Sequence, residues 1–282
     1  MGAALSISRL PGGAAPDPVE ASYTSRAIKG TALMEETRAL LRAWKPGETP
    51  SDFRKRAGEE DLLGKATAAR RDDLVRRVFE PRFLANGQEP AASIRRLLLA
   101  RGDGPWFAQI CLLLAARADV VLREAVTVFL PAVRARGASA VITPDLIRFL
   151  EQQEARGRMA RPWSHSVRES VAQHVLHQLT DLRVLGRPRR GVRPLLPYVP
   201  GAIAMAWLAG ELHRGEASDA EIVAHPDWQV WQMHEADVRE ALDRLSDLGL
   251  WMYQGAGSVV RITWLAPDWS AVLSVLEGSS LD

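Results

Sequence analysis

Arg187, Arg189, Arg190 and Arg193 fall within seven positions, in and just after the punctuated stretch Gly186-Arg-Pro-Arg-Arg-Gly191. Arginines spaced this way in a surface hairpin can contact phosphate oxygens or enter a minor groove. Just upstream, a helical register of 100° per residue from Ser166 puts Val167, Val171, Val175, Leu179 and Leu182 on one side. Ser166, Ser170, Gln173 and His177 fall on the opposite side in a narrow stripe. That stripe is polar and uncharged, with donors and acceptors that suit base edges in a major groove. Arg158, Arg161 and Arg168 lie near its N-terminal end. Together these residues are candidate contacts for double-stranded DNA.

Catalytic signals are absent. Gly58 to Lys65 (GEEDLLGK) superficially suggests a phosphate loop, but five residues separate the glycines where the motif needs four, and Ala66 follows the lysine. His174 and His177 are three apart on a helix with no third ligand nearby in sequence, so a surface pair is the better reading than a metal site. Cys111 lies in an apolar helix, the setting of a core thiol and not of a nucleophile. No G-x-S-x-G, G-x-G-x-x-G or H-E-x-x-H occurs. A binding protein without enzymatic activity, cofactor or metal is the expectation.

The elements that must position these residues are helical. Residues 1–20, rich in Gly and Pro, read as a flexible leader. Residues 21–137 read as an N-terminal helical bundle. Ser51 after Pro50 is a possible cap there, and Thr67 caps a helix reaching Phe83. The Pro105–Ala118 helix is apolar nearly all round, which places it centrally. Thr143-Pro144 opens a helix to about Arg156, and another runs from near Ser164 to Leu182.

Two segments 66 residues apart repeat. Glu169–Leu185 and Glu235–Trp251 share Glu169/Glu235, Leu176/Leu242, Leu179/Leu245, Asp181/Asp247 and Leu182/Leu248. Each runs from a helix into an apolar stretch and a turn. After Trp251, the turn Gly255-Ala-Gly257 precedes Val259, Val260, Ile262 and Trp264, a β-hairpin signal. The fold expected is mainly α: a helical bundle followed by tandem winged-helix-like modules with short β-hairpins, a basic one at 138–200 and an acidic one at 201–282. Two ordinary amphipathic helices with leucine heptads are the alternative.

The charge is uneven. The 282-residue chain carries only +2, but residues 134–193 hold 12 Arg against 5 Asp and Glu, a net of +7. Residues 194–282 hold 4 Arg against 13 Asp and Glu, a net of -9. In the second module the outward helix face carries Arg239, Glu240, Asp243 and Asp247, and three carboxylates there repel phosphate. Glu240 and Asp243, with Trp228 and Trp231 as apolar anchors, make this module a candidate protein-contact surface, for a basic partner or a second copy of the chain in a homo-oligomer. A single cysteine fits a reducing, cytoplasmic setting. The uncharged stretch Pro194–Gly210 is short for a membrane span and contains three prolines, so no membrane association is expected. Met1-Gly2 with Ser6 fits a short myristoylation pattern that is common by chance.

Tyr23-Thr-Ser-Arg-Ala-Ile-Lys-Gly30 is followed by Leu33 and Glu35-Glu36. Then come Glu60-Asp-Leu-Leu-Gly-Lys65, Thr67, Arg70-Arg71 and Pro81-Arg-Phe-Leu84. This series resembles the BrxA family, accessory proteins of BREX bacteriophage-exclusion systems, most strongly over 22–85. The resemblance implies a helical, non-enzymatic, DNA-binding protein that works beside other phage-defence proteins: a methyltransferase, an ATPase and a phosphatase-like protein. It supplies no fixed set of DNA contacts, and the acidic second module departs from a simple picture of two DNA-binding modules. A helical adaptor joining other proteins without touching nucleic acid is the competing reading.

Overall fold

The computed structural model describes residues 23–24, 34–64, 67–85, 87–257 and 259–279. The expected leader at 1–20 and its Met1-Gly2/Ser6 pattern lie outside these residues, as do Ser25–Gly30, Leu33 and Lys65 of the family-like series.

The first helix, α1 (Met34–Ala43), has Glu35 and Glu36 in its first turn and Arg42 in its last, which complements the helix dipole. In α2 (Pro50–Glu59) the cap is Thr49, not Ser51: its hydroxyl accepts the N–H of Asp52 at 3.1 Å. Pro50 takes the first helical position, where its missing N–H costs nothing, and this puts the cap at Thr49, two residues upstream of Ser51. Thr67 caps α3 (Ala68–Leu74) as its sequence suggests. The chain then continues as a π-helix over Val75–Leu84 containing Pro81, whose ring and absent N–H cannot sit in a regular i→i-4 ladder. There follow α4 (Glu89–Arg101), α5 (Pro105–Ala118), α6 (Val120–Glu124), a π-helical turn over Ala125–Phe129, and α7 (Leu130–Ala135). Every residue of α5 from Trp106 to Ala116 is buried, which makes it the axis of the bundle. Cys111 sits there, its thiol pushed up to about 12 by burial.

The next stretch contains β1 (Ala140–Val141), α8 (Thr143–Ala155), α9 (His165–Asp181) and β2 (Arg193–Pro194). At the start of α8, Pro144 lies in the first turn and the Asp145 carboxylate accepts the N–H of Ile142 at 3.0 Å. β1 pairs antiparallel with β2, Val141 opposite Arg193, while Leu185 bridges Leu195 and Arg189 bridges Val192. A small hairpin over 185–195 thus follows α9, flanked by β1.

The last stretch has α10 (Ala202–Arg214), α11 (Asp219–Ala224), a 3-10 turn over Pro226–Trp231, α12 (Glu235–Leu245), β3 (Trp251–Ala256), β4 (Val259–Trp264) and α13 (Trp269–Gly278). β3 and β4 form a regular antiparallel ladder from Trp251↔Trp264 to Ala256↔Val259. The helix-then-hairpin order read from the repeat therefore occurs twice, with a longer hairpin the second time. Among the described residues the protein is mainly helical, and its strands are confined to these two short antiparallel sheets.

One hydrophobic core runs from Tyr23 to Leu276, across the expected boundaries at 137 and 200. Trp207 of α10 donates to Ser93 Oγ of α4 at 3.1 Å. Helix α13 lies on α10 at Gly210, where a Cβ would come within 2.7 Å of the Trp269 ring, so only glycine admits this approach. Among the described residues no single helix is long and apolar enough to cross a membrane. Pro105–Ala118 and Val120–Ala135 pass that test only as a pair, and they meet at 118°.

Candidate nucleic-acid interface

Ser164 caps α9, its hydroxyl accepting the N–H of Val167 at 3.4 Å. Val171, Ala172, Val175, Leu176 and Leu179 are fully buried on the inner side. Ser166, Gln173 and His177 are exposed on the outer side, and Ser170 is half-buried. The helix thus presents the stripe of uncharged polar residues that its periodicity predicts, with the Gln173 amide donating to the exposed Glu169 carboxylate at 3.3 Å at its edge. His174 turns back on its own helix, Nδ1 lying 2.7 Å from the Ser170 carbonyl oxygen. No group of three or more potential metal ligands occurs among the described residues.

The arginines divide into two groups. Arg187, Arg189 and Arg190 are exposed at the hairpin tip. Arg190 and Gly191 have φ of 49° and 80°, the two left-handed positions of a type I′ turn. The turn closes with reciprocal bonds between Arg189 and Val192 at 2.9 and 3.0 Å. Arg161 is exposed before α9. None of these four forms an ion pair among the described residues.

Arg193 does not share their setting. It is buried in β2 opposite Val141, and burial pushes its guanidinium below the ordinary value. Strand alternation past the tip turns its side chain inward. Arg158 is ion-paired with Glu124 and lies over the Tyr23 ring at 5.8 Å, and the Tyr23 hydroxyl also donates to Glu124. Arg168 meets Glu151 at 2.8 Å and Glu154 at 3.5 Å and donates to the Trp163 carbonyl at 2.9 Å. It ties α8 to α9. Arg183, exposed with φ of 61° directly after α9, also belongs to the basic surface. The sequence signal for it is a basic residue at the end of the helical run, outside the Gly186–Gly191 stretch that marks the wing.

In the second unit, Glu240 and Asp243 are exposed on α12. With Arg239, Tyr253, Gly255 and Gly257 they line a shallow groove of about 330 Å³ between the helix and the β3–β4 turn. Trp228 and Trp231 are not available as anchors, being 2% and 1% exposed. Trp228 donates to the Ile222 carbonyl at 2.6 Å and Trp231 to the Gln109 carbonyl of α5 at 3.1 Å. The 3-10 turn that carries them is drawn into the bundle core, where both indole N–H groups are satisfied.

The phosphate-loop look-alike is a helix end. Gly58 lies in α2, Gly64 is in a turn with φ of 59°, and Leu62 and Leu63 pack on the core. A phosphate loop follows a strand, and this one follows a helix.

Fold and site together define a mainly helical protein with two helix-and-hairpin units, the first presenting arginines without ion pairs among the described residues beside a polar helix stripe. The BrxA family profile matches residues 21–201, and the chain belongs to the BrxA family, a family associated with BREX phage defence. Residues 202–282, with α10 to α13, lie beyond that match. The fold is similar to the crystal structure of an uncharacterized protein from Magnetospirillum magneticum, with a TM-score of 0.53 and 17% identity over 68% of this chain and 95% of that one. No curated protein matches.

Proposed function

We propose that this protein is a non-enzymatic accessory protein of a BREX phage-defence system that binds duplex DNA through α9 and the 185–195 hairpin. The observation that carries this reading is the pairing of an uncharged polar stripe on α9 with Arg187, Arg189 and Arg190, exposed and without ion pairs among the described residues. We read the order β1, α8, α9, hairpin as a winged helix-turn-helix, in which α9 enters the major groove and the hairpin meets the backbone or the minor groove. Other phage-defence proteins are its expected partners, and the cytoplasm its setting. The groove beside Glu240 and Asp243 supports a second role for the acidic unit, contact with a basic protein surface.

The test is a fluorescence-anisotropy titration of duplex DNA over a salt series. Affinity falls with salt at a log–log slope of about -0.9 for each phosphate neutralised. Arg187→Ala/Arg189→Ala/Arg190→Ala lowers affinity at low salt and flattens the slope by about 2 to 3, while the unfolding midpoint stays nearly unchanged. No binding at low salt, or equal slopes for the two proteins, overturns the proposal.

A further inference from the structure

Helix α8 has three flanks. Leu146, Leu150 and Gln153 are buried. Glu151 and Glu154 are held by Arg168 of α9. The remaining flank carries Asp145, Arg148, Gln152 and Arg156 at helical spacings of three and four, so they form a single stripe. That stripe does not face α9. It looks across a half-enclosed cleft of about 410 Å³ to Phe129, just before α7, and Arg136, just after it. The volume lies within the range of about 300 to 1,000 Å³ common for small-molecule sites.

We propose that this cleft binds a small phosphate-bearing ligand of nucleotide size. Three arginines line it against one carboxylate. Asp145 is already engaged, by Arg148 and by the N–H of Ile142. Arg136 and Arg156 make no ion pair among the described residues, so two guanidiniums face the cleft uncompensated. Guanidinium forks match phosphate oxygens in a bidentate manner. Arg148 and Arg156 stand two turns apart, about 12 Å at 1.5 Å per residue, so the site suits an elongated ligand better than a lone anion. Between them the Gln152 amide offers a donor and an acceptor, and the rings of Phe129 and Phe149, 5.5 Å apart, form an apolar floor. A concave cleft of this size suits a small molecule better than a flat protein face or a duplex. The inference does not rest on the DNA-binding reading.

The test titrates ATP, AMP and inorganic phosphate into the full chain by calorimetry at low salt without added metal. The expected result is one saturable site for both nucleotides, with phosphate weaker by about tenfold or more. Arg136→Gln/Arg156→Gln keeps a polar side chain but removes both charges, and lowers nucleotide affinity by about tenfold or more. Arg187→Ala/Arg189→Ala/Arg190→Ala leaves it unchanged. Four results each overturn the proposal: no binding at about 1 mM nucleotide, equal affinity for phosphate and nucleotides, full affinity in the glutamine variant, or loss of nucleotide binding in the hairpin variant. Displacement of ATP by a short duplex, with loss of duplex binding in the glutamine variant, assigns the cleft to the DNA surface and overturns it equally.

Discussion

A formal charge helps to bind a phosphate backbone only if the fold has not already spent it. Arg168 and Arg189 lie in the same basic block, yet their surroundings differ completely. Arg168 is surrounded by Glu151, Glu154 and the Trp163 carbonyl, and what it contributes is the attachment of α9 to α8. Among the described residues Arg189 bonds only through its backbone, and its side chain is exposed. We expect Arg168→Ala to cost about 1 to 2 kcal/mol of stability, because two carboxylates and a carbonyl lose their donor. The salt slope of DNA binding should barely change. Arg189→Ala should do the reverse, leaving stability within about 0.5 kcal/mol and reducing the slope by about 0.9. Urea unfolding read beside anisotropy decides the matter, and identical behaviour of the two variants would contradict the division between spent and free arginines. Residue type and spacing in the sequence place both residues in a basic block. The carboxylates that neutralise Arg168 lie 14 and 17 positions upstream on another helix, so no local pattern reveals them.

At the scale of elements, the helices were legible because each carries its own signals: a 3.6-residue period, Thr67 and Ser164 as caps, Pro144 in a first turn. The inner and outer faces of α9 followed from the same period. What could not be read locally was the partner of each surface. β1 is two residues long, and its mate lies about 50 positions downstream, so the inward turn of Arg193 has no nearby cause. Trp228 and Trp231 look like interface residues in an acidic segment until α5 is packed against them. The hairpin tip offers a test of its own geometry. Arg190 occupies a left-handed position with φ of 49°, which favours glycine. Arg190→Gly relieves that conformation at the expense of greater freedom in the unfolded chain, so stability should rise by at most about 1 kcal/mol. DNA affinity should fall, since a guanidinium is lost. A thermal melt that drops by several degrees in this variant would show that the type I′ turn is misassigned.

Across the whole molecule, the C-terminal stretch beyond the family match is built into the bundle and does not hang from it. Arg96 of α4 meets Glu277 of α13 at 2.6 Å and also bonds Ser270 and Ser274. Deeper in, Arg117 of α5 holds Glu211 at 2.7 Å and Asp227 at 2.7 Å, and Arg123 reaches Asp227 at 2.9 Å. A chain cut near Pro200 would lose Trp207 and Trp231 and bare the faces of α4 and α5 on which they bond Ser93 and the Gln109 carbonyl, so the acidic unit is better probed by reversing Glu240 and Asp243 in the intact protein. The buried ion cluster also predicts a response to acid. Burial opposes ionisation of Asp227, but Arg117 and Arg123 outweigh it and hold the carboxyl below its ordinary value. The unfolded carboxyl titrates near about 3.9. Above that pH both states are ionised and the stabilisation is complete. As pH falls towards the folded value, the unfolded chain takes up a proton that the folded chain refuses, and the stabilisation is withdrawn. Asp227→Asn leaves two guanidiniums without this partner and should cost about 3 to 5 kcal/mol at pH 7. The cost should shrink as pH drops from about 5 to 3, because the wild type then loses what the variant never had. Urea midpoints for both proteins across that range measure it. Parallel acid profiles would mean that no ionised charge on Asp227 holds the C-terminal stretch to the bundle.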